Sequence, residues 1–155
     1  MRYSSMLVTT ILSAGLAVSG AFAATEFGTA KEAEAMVAKA IAHMKAVGNE
    51  KAYADFMDLK NTAFHDRDLF VSVQDMAGNM KAHGTSPKLA GKNVIALKDP
   101  DGKEFIKERL EFAKTKTKFW HDYTFFDPIT KKPLPKSNFC ERTEDVLVCT
   151  GIFKR

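Results

Sequence analysis

The sequence has few of the residue patterns that usually mark a catalytic or metal site. It has only two cysteines, and a metal site would need further Cys or His ligands at suitable spacing, but its histidines form no paired motif. It also lacks G-x-S-x-G, the motif that holds the nucleophilic serine of many hydrolases. A dense Lys/Arg stripe with interleaved aromatic residues is also missing, which argues against nucleic-acid binding. We therefore expect no enzyme activity, no cofactor, no metal and no nucleic-acid partner.

Long apolar runs are missing after residue 23, but a shorter run stands at the start of the chain. Arg2 precedes an uncharged stretch over residues 6–18, and Ala-Phe-Ala at residues 21–23 matches the small-x-small pattern of signal peptidase sites. The run is shorter than the roughly 20 residues that span a bilayer. We expect a signal peptide over residues 1–23, cleaved after Ala23, and a periplasmic or secreted domain over residues 24–155. A retained N-terminal anchor is the alternative.

A content of 45% hydrophobic residues in a chain of 155 is enough for one domain with a real core. From Glu26 to Val47 apolar residues recur at three- and four-residue steps, which predicts an amphipathic helix. Thr25 is expected to cap this helix and Gly48 to end it. Asn49 is expected to cap a second, short helix.

After residue 66 the apolar period changes to two, as in a strand. "DLFVSVQD" places Leu69, Val71 and Val73 on one face, and "AGN" turns the chain into "MKAHG". A loop-rich segment with one short helical turn leads to the helix "KEFIKERLEFAKT", and three strands follow: "KFWHDYTFF", "PKSNFCER" and "DVLVCTGIF". This order predicts an α+β fold, with one antiparallel sheet of about five strands between the long helix and a helical crossover.

Both cysteines lie in the last two predicted strands. If Glu144 and Asp145 form a two-residue turn, Cys140 lies directly opposite Cys149, with Cα atoms about 4.5 Å apart. An exported domain can keep a disulfide, so a structural disulfide is the favoured interpretation. Reversible redox use is the alternative, although thioredoxin-like chemistry would need C-x-x-C.

Several longer stretches occur in a fixed order: "AHG-x-x-P-K-L-x-G-K-N", "KD-x-x-G-K-x-F", "W-x-D-Y", "PKS-x-aromatic" and a final "G-I-aromatic". Together they resemble the second type of the single Cache domain family of extracytoplasmic sensor domains, over nearly the whole chain after residue 23. The resemblance implies a PAS-like antiparallel sheet behind a long N-terminal helix. It also implies a small-ligand pocket between the sheet and the crossover, which in relatives often takes small organic acids or other metabolites.

The matches to these motifs name candidate ligand contacts. Lys136 matches the lysine of "PKS" and is the first candidate for a cation that binds a carboxylate. Its alternative is a solvated lysine in a lysine-rich loop. Trp120 and Tyr123 come from "W-x-D-Y", and their odd spacing sends them to opposite faces of a strand. Tyr123 is therefore the preferred pocket residue, and Trp120 has the core as its alternative.

His83 matches "AHG", where it either donates to an anion or fixes the loop. Phe70 shares one strand face with Ser72 and Gln74, at positions where the family commonly carries aromatic residues. Ser72 and Gln74 depart from that pattern, and Phe139 stands where a tyrosine is usual. These departures imply a wider pocket or a different ligand.

Family domains usually have a signalling module after the last strand, but this sequence ends at Arg155, directly after that strand. We therefore expect an exported sensor-type domain without an output module, which binds a small molecule, preferably a carboxylate. Its bound state would be presented to a membrane sensor or receptor, and a homodimer through the N-terminal helix is a further expectation. The alternative is an accessory subunit of a membrane sensor with a vestigial pocket.

Overall fold

The computed structural model describes residues 26–155 of the chain. Its helices are α1 (Ala30–Val47), α2 (Asn49–Met57) and α3 (Phe105–Thr115), with a 3₁₀ turn at Pro87–Leu89. The strands are β1 (His65–Asp66), β2 (Leu69–Phe70), β3 (Ser72–Asp75), β4 (Met80–His83), β5 (Lys118–Phe126), β6 (Pro133–Thr143) and β7 (Val146–Phe153). The expected signal peptide, its cleavage after Ala23 and the expected cap Thr25 lie outside the described residues.

The start of α1 differs from the predicted one. Thr29 caps the helix, because its side chain accepts a hydrogen bond from the Glu32 backbone N–H while the Glu32 carboxylate accepts one from the Thr29 N–H. Gly28 is held outside the helix, since its N–H donates to Asp68 Oδ1 at 2.7 Å. The local Thr29/Glu32 capping box marks the start of the helix, and the Gly28–Asp68 contact lies just outside it. The prediction of a start at Glu26 was therefore wrong.

The junction between α1 and α2 follows the prediction in part. The end of α1 at Val47 and the stop at Gly48 are confirmed. Gly48 has φ of 82°, a left-handed conformation that glycine adopts without strain. Asn49 is the first residue of α2 and not its cap, because Gly48 already takes the cap position.

The main sheet has five antiparallel strands in the order β4-β3-β7-β6-β5, which confirms the predicted fold class. The predicted strand "DLFVSVQD" is divided: β2 pairs with β1 in a separate two-stranded sheet, and β3 pairs with β4 and β7. The predicted β3–β4 hairpin is confirmed, as are the helical turn and the helix of the crossover.

The two faces of the sheet are covered by different elements, as predicted. α1 and α2 pack on one face, where Leu69, Val71 and Val73 lie in the core. α3 and the loop segment 84–104 cover the other face. Among the described residues, no helix has the length and apolar character that crossing a membrane requires.

The β6–β7 hairpin has the predicted register: Thr143 pairs with Val146 across the turn, and Cys140 with Cys149. The two cysteines form a disulfide, with Cα atoms 4.2 Å apart against the expected 4.5 Å or so. Both are buried, on the α3 side of the sheet. The bridge therefore fixes how β6 and β7 align.

Replacing both cysteines (Cys140→Ala with Cys149→Ala) should lower the free energy of unfolding by about 2 kcal/mol, because the bridge restricts the unfolded chain. Urea-induced unfolding measures the change, and wild-type protein in excess dithiothreitol serves as the matched control. Equal stability of oxidised, reduced and doubly substituted protein would contradict a structural role for the bridge.

Candidate functional site

A narrow cavity lies between the main sheet, α3 and the loop segment 84–104. The space open to the centre of a water molecule is about 20 Å³, which is room for a water or two. Among the described residues, no carboxylate lines it. The side chains around it are mostly aromatic or basic: Phe70, His83, Phe105, Arg109, Tyr123, Phe125, Lys136 and Asn138.

Lys136 is buried at this cavity, with 2% of its surface exposed. It lies on β6 opposite Tyr123 of β5 and Phe153 of β7. Its ammonium is 4.1 Å from the ring centroid of Phe70, 4.7 Å from that of Phe153 and 5.7 Å from that of Phe125. Such cation–π contacts stabilise a charge but do not replace its hydrogen bonds to water. Lys136 is therefore not a solvated surface lysine.

The pKa of Lys136 reflects this environment. Burial lowers it from 10.5 to about 7, and the positive charge of Arg109 acts in the same direction. The carboxylates of Asp68 and Asp127 act the other way, by raising it. The lysine thus titrates near neutral pH, and an anion beside it would hold it in the charged form.

The two carboxylates near Lys136 are already engaged by the last residue of the chain. Arg155 donates from Nη1 to Asp68 Oδ2 and from Nη2 to Asp127 Oδ1, both at 2.8 Å. The other oxygen of Asp68 accepts from Gly28, and Asp127 also accepts from the Thr130 hydroxyl. Both acids are buried and fully hydrogen-bonded, so neither forms a direct ion pair with Lys136.

Arg109 is a second buried cation at the cavity, with 2% exposure. Its guanidinium lies 4.9 Å from the ring centroid of Tyr123 and 5.5 Å from that of Phe105. Within the described part of the chain, its Nε and Nη2 have no hydrogen-bond partner. These two N–H groups lie on one edge of the guanidinium, where they form the fork that fits a carboxylate.

His83 lies in the same cavity wall as a neutral ring. Burial, together with the charges of Lys136 and Arg109, lowers its pKa to about 3. Its Nδ1 accepts a hydrogen bond from the Ser86 N–H at 3.1 Å, so the ring proton is on Nε2. His83 thus holds the loop through Ser86, which is one of its two expected roles. Its Nε2–H remains available as a hydrogen-bond donor.

Tyr123 lies in the cavity wall, stacked on Phe105 with centroids 4.6 Å apart, and burial raises its pKa. Asn138, two residues after Lys136, has an Oδ1 atom that is buried and without a hydrogen-bond partner among residues 26–155. Gly151 lies opposite Asn138 on β7. A Cβ there would meet Asn138 Oδ1 and come within 2.8 Å of Lys136 Cε, so only glycine leaves room for both side chains.

Two residues expected near the ligand lie on the other face of the sheet. Trp120 pairs with Phe139 and both pack in the core against α1, where the indole N–H donates to Glu34 at 3.3 Å. Trp120 is therefore corrected from a candidate ligand contact to a core residue. Because Phe139 also lies on the α1 face, the lack of a tyrosine hydroxyl at this position does not affect the cavity.

The strand face of Phe70 is divided between two environments. Phe70 and Ser72 line the cavity, and the Ser72 hydroxyl donates to the Cys149 carbonyl at 3.4 Å. Gln74 is buried further along the strand, opposite Leu147, outside the residues around the cavity. The structure thus brings together Lys136, Tyr123, His83 and Phe70, and leaves out Trp120.

The sequence did not identify Arg109 as a residue of the cavity. A signal for Arg109 was present: it stands four residues after Phe105 and four before Ala113, on the buried stripe of α3. A charge on an apolar stripe is the exception that marks a site. Strand alternation placed Asn138 on one face with Lys136 and Cys140, and the structure shows that it lines the cavity.

Metal binding finds no support here. Among residues 26–155 no group of three or more His, Cys, Asp or Glu side chains is arranged to hold a metal ion. The cavity offers donors and cations, and both favour an anion.

The fold and the cavity together define a class of protein: a PAS-like α+β domain with a narrow cavity between its sheet and its crossover. The family profile described as Single Cache domain 2 matches residues 23–153, and the chain belongs to this family of sensor domains. The resemblance inferred from the motifs is therefore confirmed.

Solved structures share the fold at low sequence identity. A methyl-accepting chemotaxis protein from Vibrio parahaemolyticus is 20% identical with a TM-score of 0.68, covering 79% of this chain and 86% of its own. A periplasmic sensor domain of a chemotaxis protein is 21% identical with a TM-score of 0.63, covering 81% and 90%. A Cache chemosensory domain whose structure explains carboxylic acid recognition is 19% identical with a TM-score of 0.64, covering 81% and 88%. No curated protein sequence matches the chain.

Replacing the buried lysine by methionine (Lys136→Met) should raise the free energy of unfolding of the empty protein by about 1–4 kcal/mol at pH 7, since it removes a poorly compensated buried charge. In the wild type, stability should also rise between pH 7 and 10.5, because there the unfolded chain keeps the proton that folded Lys136 has lost. The variant should lose this part of the pH dependence. Urea unfolding across that pH range measures both effects.

Lys132→Met is the matched control, since Lys132 is an exposed lysine four residues earlier. It should change stability by no more than about 0.5 kcal/mol. If Lys136→Met instead lowered stability, the lysine would be a structural counter-ion of Asp68 and Asp127.

Proposed function

We propose that this protein is an exported ligand-binding domain that recognises a small carboxylate without covalent chemistry. The single observation that carries the proposal is the pair of buried cations, Lys136 and Arg109, facing one cavity that no carboxylate lines among the described residues. A buried cation without a counter-ion lowers the stability of the folded protein, and binding of an anion beside it restores that stability. The carboxylic acid recognition of the related Cache chemosensory domain agrees with this chemistry.

The charges around the cavity support a single negative charge on the ligand. Asp68 and Asp127 carry two negative charges, and Arg155 and Lys136 carry two positive ones when Lys136 is protonated. Arg109 forms no ion pair within residues 26–155, so its charge remains for the ligand. One carboxylate balances it.

The two cations have different roles in this proposal. Arg109 offers two parallel N–H groups, which orient a carboxylate as well as attract it. Lys136 offers one point charge held by aromatic rings. His83 and Tyr123 complete the wall with a ring donor and a stacked phenol.

The size of the ligand follows from the space available. The cavity has room for only a water or two, so a ligand must be small or must displace the loop segment 84–104. That segment carries Leu97, which lines the cavity and is 41% exposed. We propose that ligands enter on this side.

Export and a membrane sensor or receptor as partner belong to the same proposal. The alternative, an accessory subunit with a vestigial pocket, is less favoured. Lys136 and Arg109 are both buried and form no direct ion pair among residues 26–155, and burying such charges lowers the stability of the fold. A homodimer through α1 stays a prediction. The apolar side of α1 is already used against the sheet, so a second copy would have to bind its exposed side.

Ligand binding should raise the melting temperature of the purified protein for at least one small organic acid. Binding to the folded state alone adds about 2.7 kcal/mol of stability when the ligand is at 100 times its Kd. A thermal-shift screen of short organic acids, with amino acids, amines and purines for comparison, measures the effect.

Lys136→Met and Arg109→Met should each abolish the shift, and the exposed Lys132→Met should retain it. If no acid in the screen shifted the wild type, the sensor proposal would be contradicted and the accessory-subunit alternative favoured. A shift that survived both cavity variants would place the ligand elsewhere.

A further inference from the structure

The loop between β5 and β6 presents apolar side chains to solvent. Phe126 is 56% exposed and Ile129 is 50% exposed, which makes them two of the three most exposed large apolar residues in the described part of the chain. Single exposed apolar residues are common on protein surfaces. Two of them within four residues of one loop form a local apolar surface, whose removal from water would favour binding to another body.

A buried acid holds this loop in one conformation. Asp127 is 0% exposed, and its carboxylate accepts hydrogen bonds from the N–H groups of Ile129 and Thr130 and from the Thr130 hydroxyl. Arg155 donates to the same carboxylate at 2.8 Å. The backbone of Asp127 closes the loop by hydrogen bonds to residues 131 and 132. Because the loop is already ordered, little conformational entropy is lost when it binds a surface.

The charge beside the two apolar side chains is positive. Lys131 and Lys132 follow the apex of the loop, and both are exposed. Neither forms an ion pair within residues 26–155. The nearest acid, Asp127, is already paired with Arg155, which also pairs with Asp68. The loop therefore carries two positive charges that no neighbouring carboxylate balances.

The opposite end of β6 is acidic. The β6–β7 turn carries Glu144 and Asp145, and both are exposed. The strand between the loop and this turn has 11 residues, which corresponds to a length of about 35 Å. The sheet thus has a basic end and an acidic end. A negatively charged surface would attract the end that carries the β5–β6 loop.

The N-terminal part of the chain enters the domain at the same basic end. The Gly28 N–H donates to one oxygen of Asp68, and Arg155 joins the other oxygen to Asp127 at the base of the loop. In the sequence, seven residues separate the apolar run over residues 6–18 from residue 26. Such a spacer reaches at most about 30 Å when extended. A bilayer that holds the run therefore lies near the loop.

We propose that the β5–β6 loop is a docking surface for a bilayer that contains anionic phospholipid. Phe126 and Ile129 enter the boundary between headgroups and acyl chains, and Lys131 and Lys132 lie against the phosphates. This is the arrangement that the membrane interface favours, with apolar groups inward and cations at headgroup level. The surface is separate from ligand binding, since none of residues 126–132 lines the cavity. It would hold the domain where a membrane receptor can contact it.

Co-sedimentation of the whole protein with lipid vesicles tests the proposal. The vesicles contain phosphatidylcholine alone or with about 30% phosphatidylglycerol. The wild type should bind the anionic vesicles at least about ten-fold more tightly, because each lysine near an anionic surface contributes about five-fold. Raising the salt from about 0.05 M to about 0.5 M should reduce this preference. Residues 1–25 are the same in every variant, so differences between variants report on the loop.

The apolar part of the surface is tested by Phe126→Ser with Ile129→Ser. The double variant should bind anionic vesicles at least about ten-fold more weakly than the wild type, because it loses the side chains that leave water. Val47→Ser with Leu59→Ser is the matched control, since it removes two other exposed apolar side chains. The control should bind like the wild type.

The basic part is tested by Lys131→Gln with Lys132→Gln, which should abolish the preference for anionic over neutral vesicles. Lys45→Gln with Lys60→Gln removes the same amount of charge at two other exposed lysines. This control should retain the preference, because the effect belongs to the loop and not to the net charge of the protein.

A fluorescence measurement reports the depth of the loop directly. The wild type has a single tryptophan, Trp120, so Phe126→Trp adds one fluorophore at the loop. On anionic vesicles with brominated acyl chains the emission of the added residue should be quenched. Leu59→Trp should show no more quenching than the wild type.

Several results would overturn the proposal. They are a wild type that binds neither kind of vesicle, equal affinity for neutral and anionic vesicles, unchanged binding by either loop variant, and an unquenched tryptophan at residue 126. None of them bears on the carboxylate site, because the thermal-shift screen of that site is carried out without lipid.

Discussion

Two buried cations facing one narrow cavity are the constraint on which the rest of this structure depends. Burying a charge away from water costs several kcal/mol. For Lys136 this cost is offset in part by cation–π contacts with three aromatic rings and by attraction to the more distant Asp68 and Asp127. For Arg109 the cost of burial is offset less, since its Nε and Nη2 have no hydrogen-bond partner within residues 26–155. The empty protein therefore gives up stability that a bound anion can restore, and the donors are already in position when it arrives.

The scaffold keeps these cations from reaching water or a nearby acid. Lys136 lies on a strand between two others, and Arg155 occupies Asp68 and Asp127 so that neither turns toward the lysine. The disulfide joins β6 to β7 at Cys140, four residues after Lys136, and holds the register that sets Gly151 opposite Asn138. A slip of one residue would send the lysine to the α1 face.

Local patterns were enough to predict the elements and one register, but not the contents of the cavity. The bounds of β5 match the apolar pattern of "KFWHDYTFF", and counting from a two-residue turn gave the pairing of the cysteines. The start of α1 was missed although a local signal marks it, the Thr29-x-x-Glu32 capping box. Odd spacing predicted that Trp120 and Tyr123 point to opposite faces, and the pairing of Tyr123 with Lys136 decides which one lines the cavity. Arg109 was missed because a charged helix residue usually faces water, and only packing of α3 on the sheet shows that this one does not.

Arg109 and Lys136 are proposed to form an anion site in the cavity. A crystal structure of the protein grown with a saturating short carboxylic acid tests it most directly. We expect the carboxylate to lie between the two cations, with its oxygens about 2.7–2.9 Å from Arg109 Nε and Nη2. A carboxylate bound elsewhere would show that the cavity is not an anion site. A pairing of Arg109 Nε and Nη2 with an acidic side chain of the protein, without a carboxylate in the cavity, would show the same.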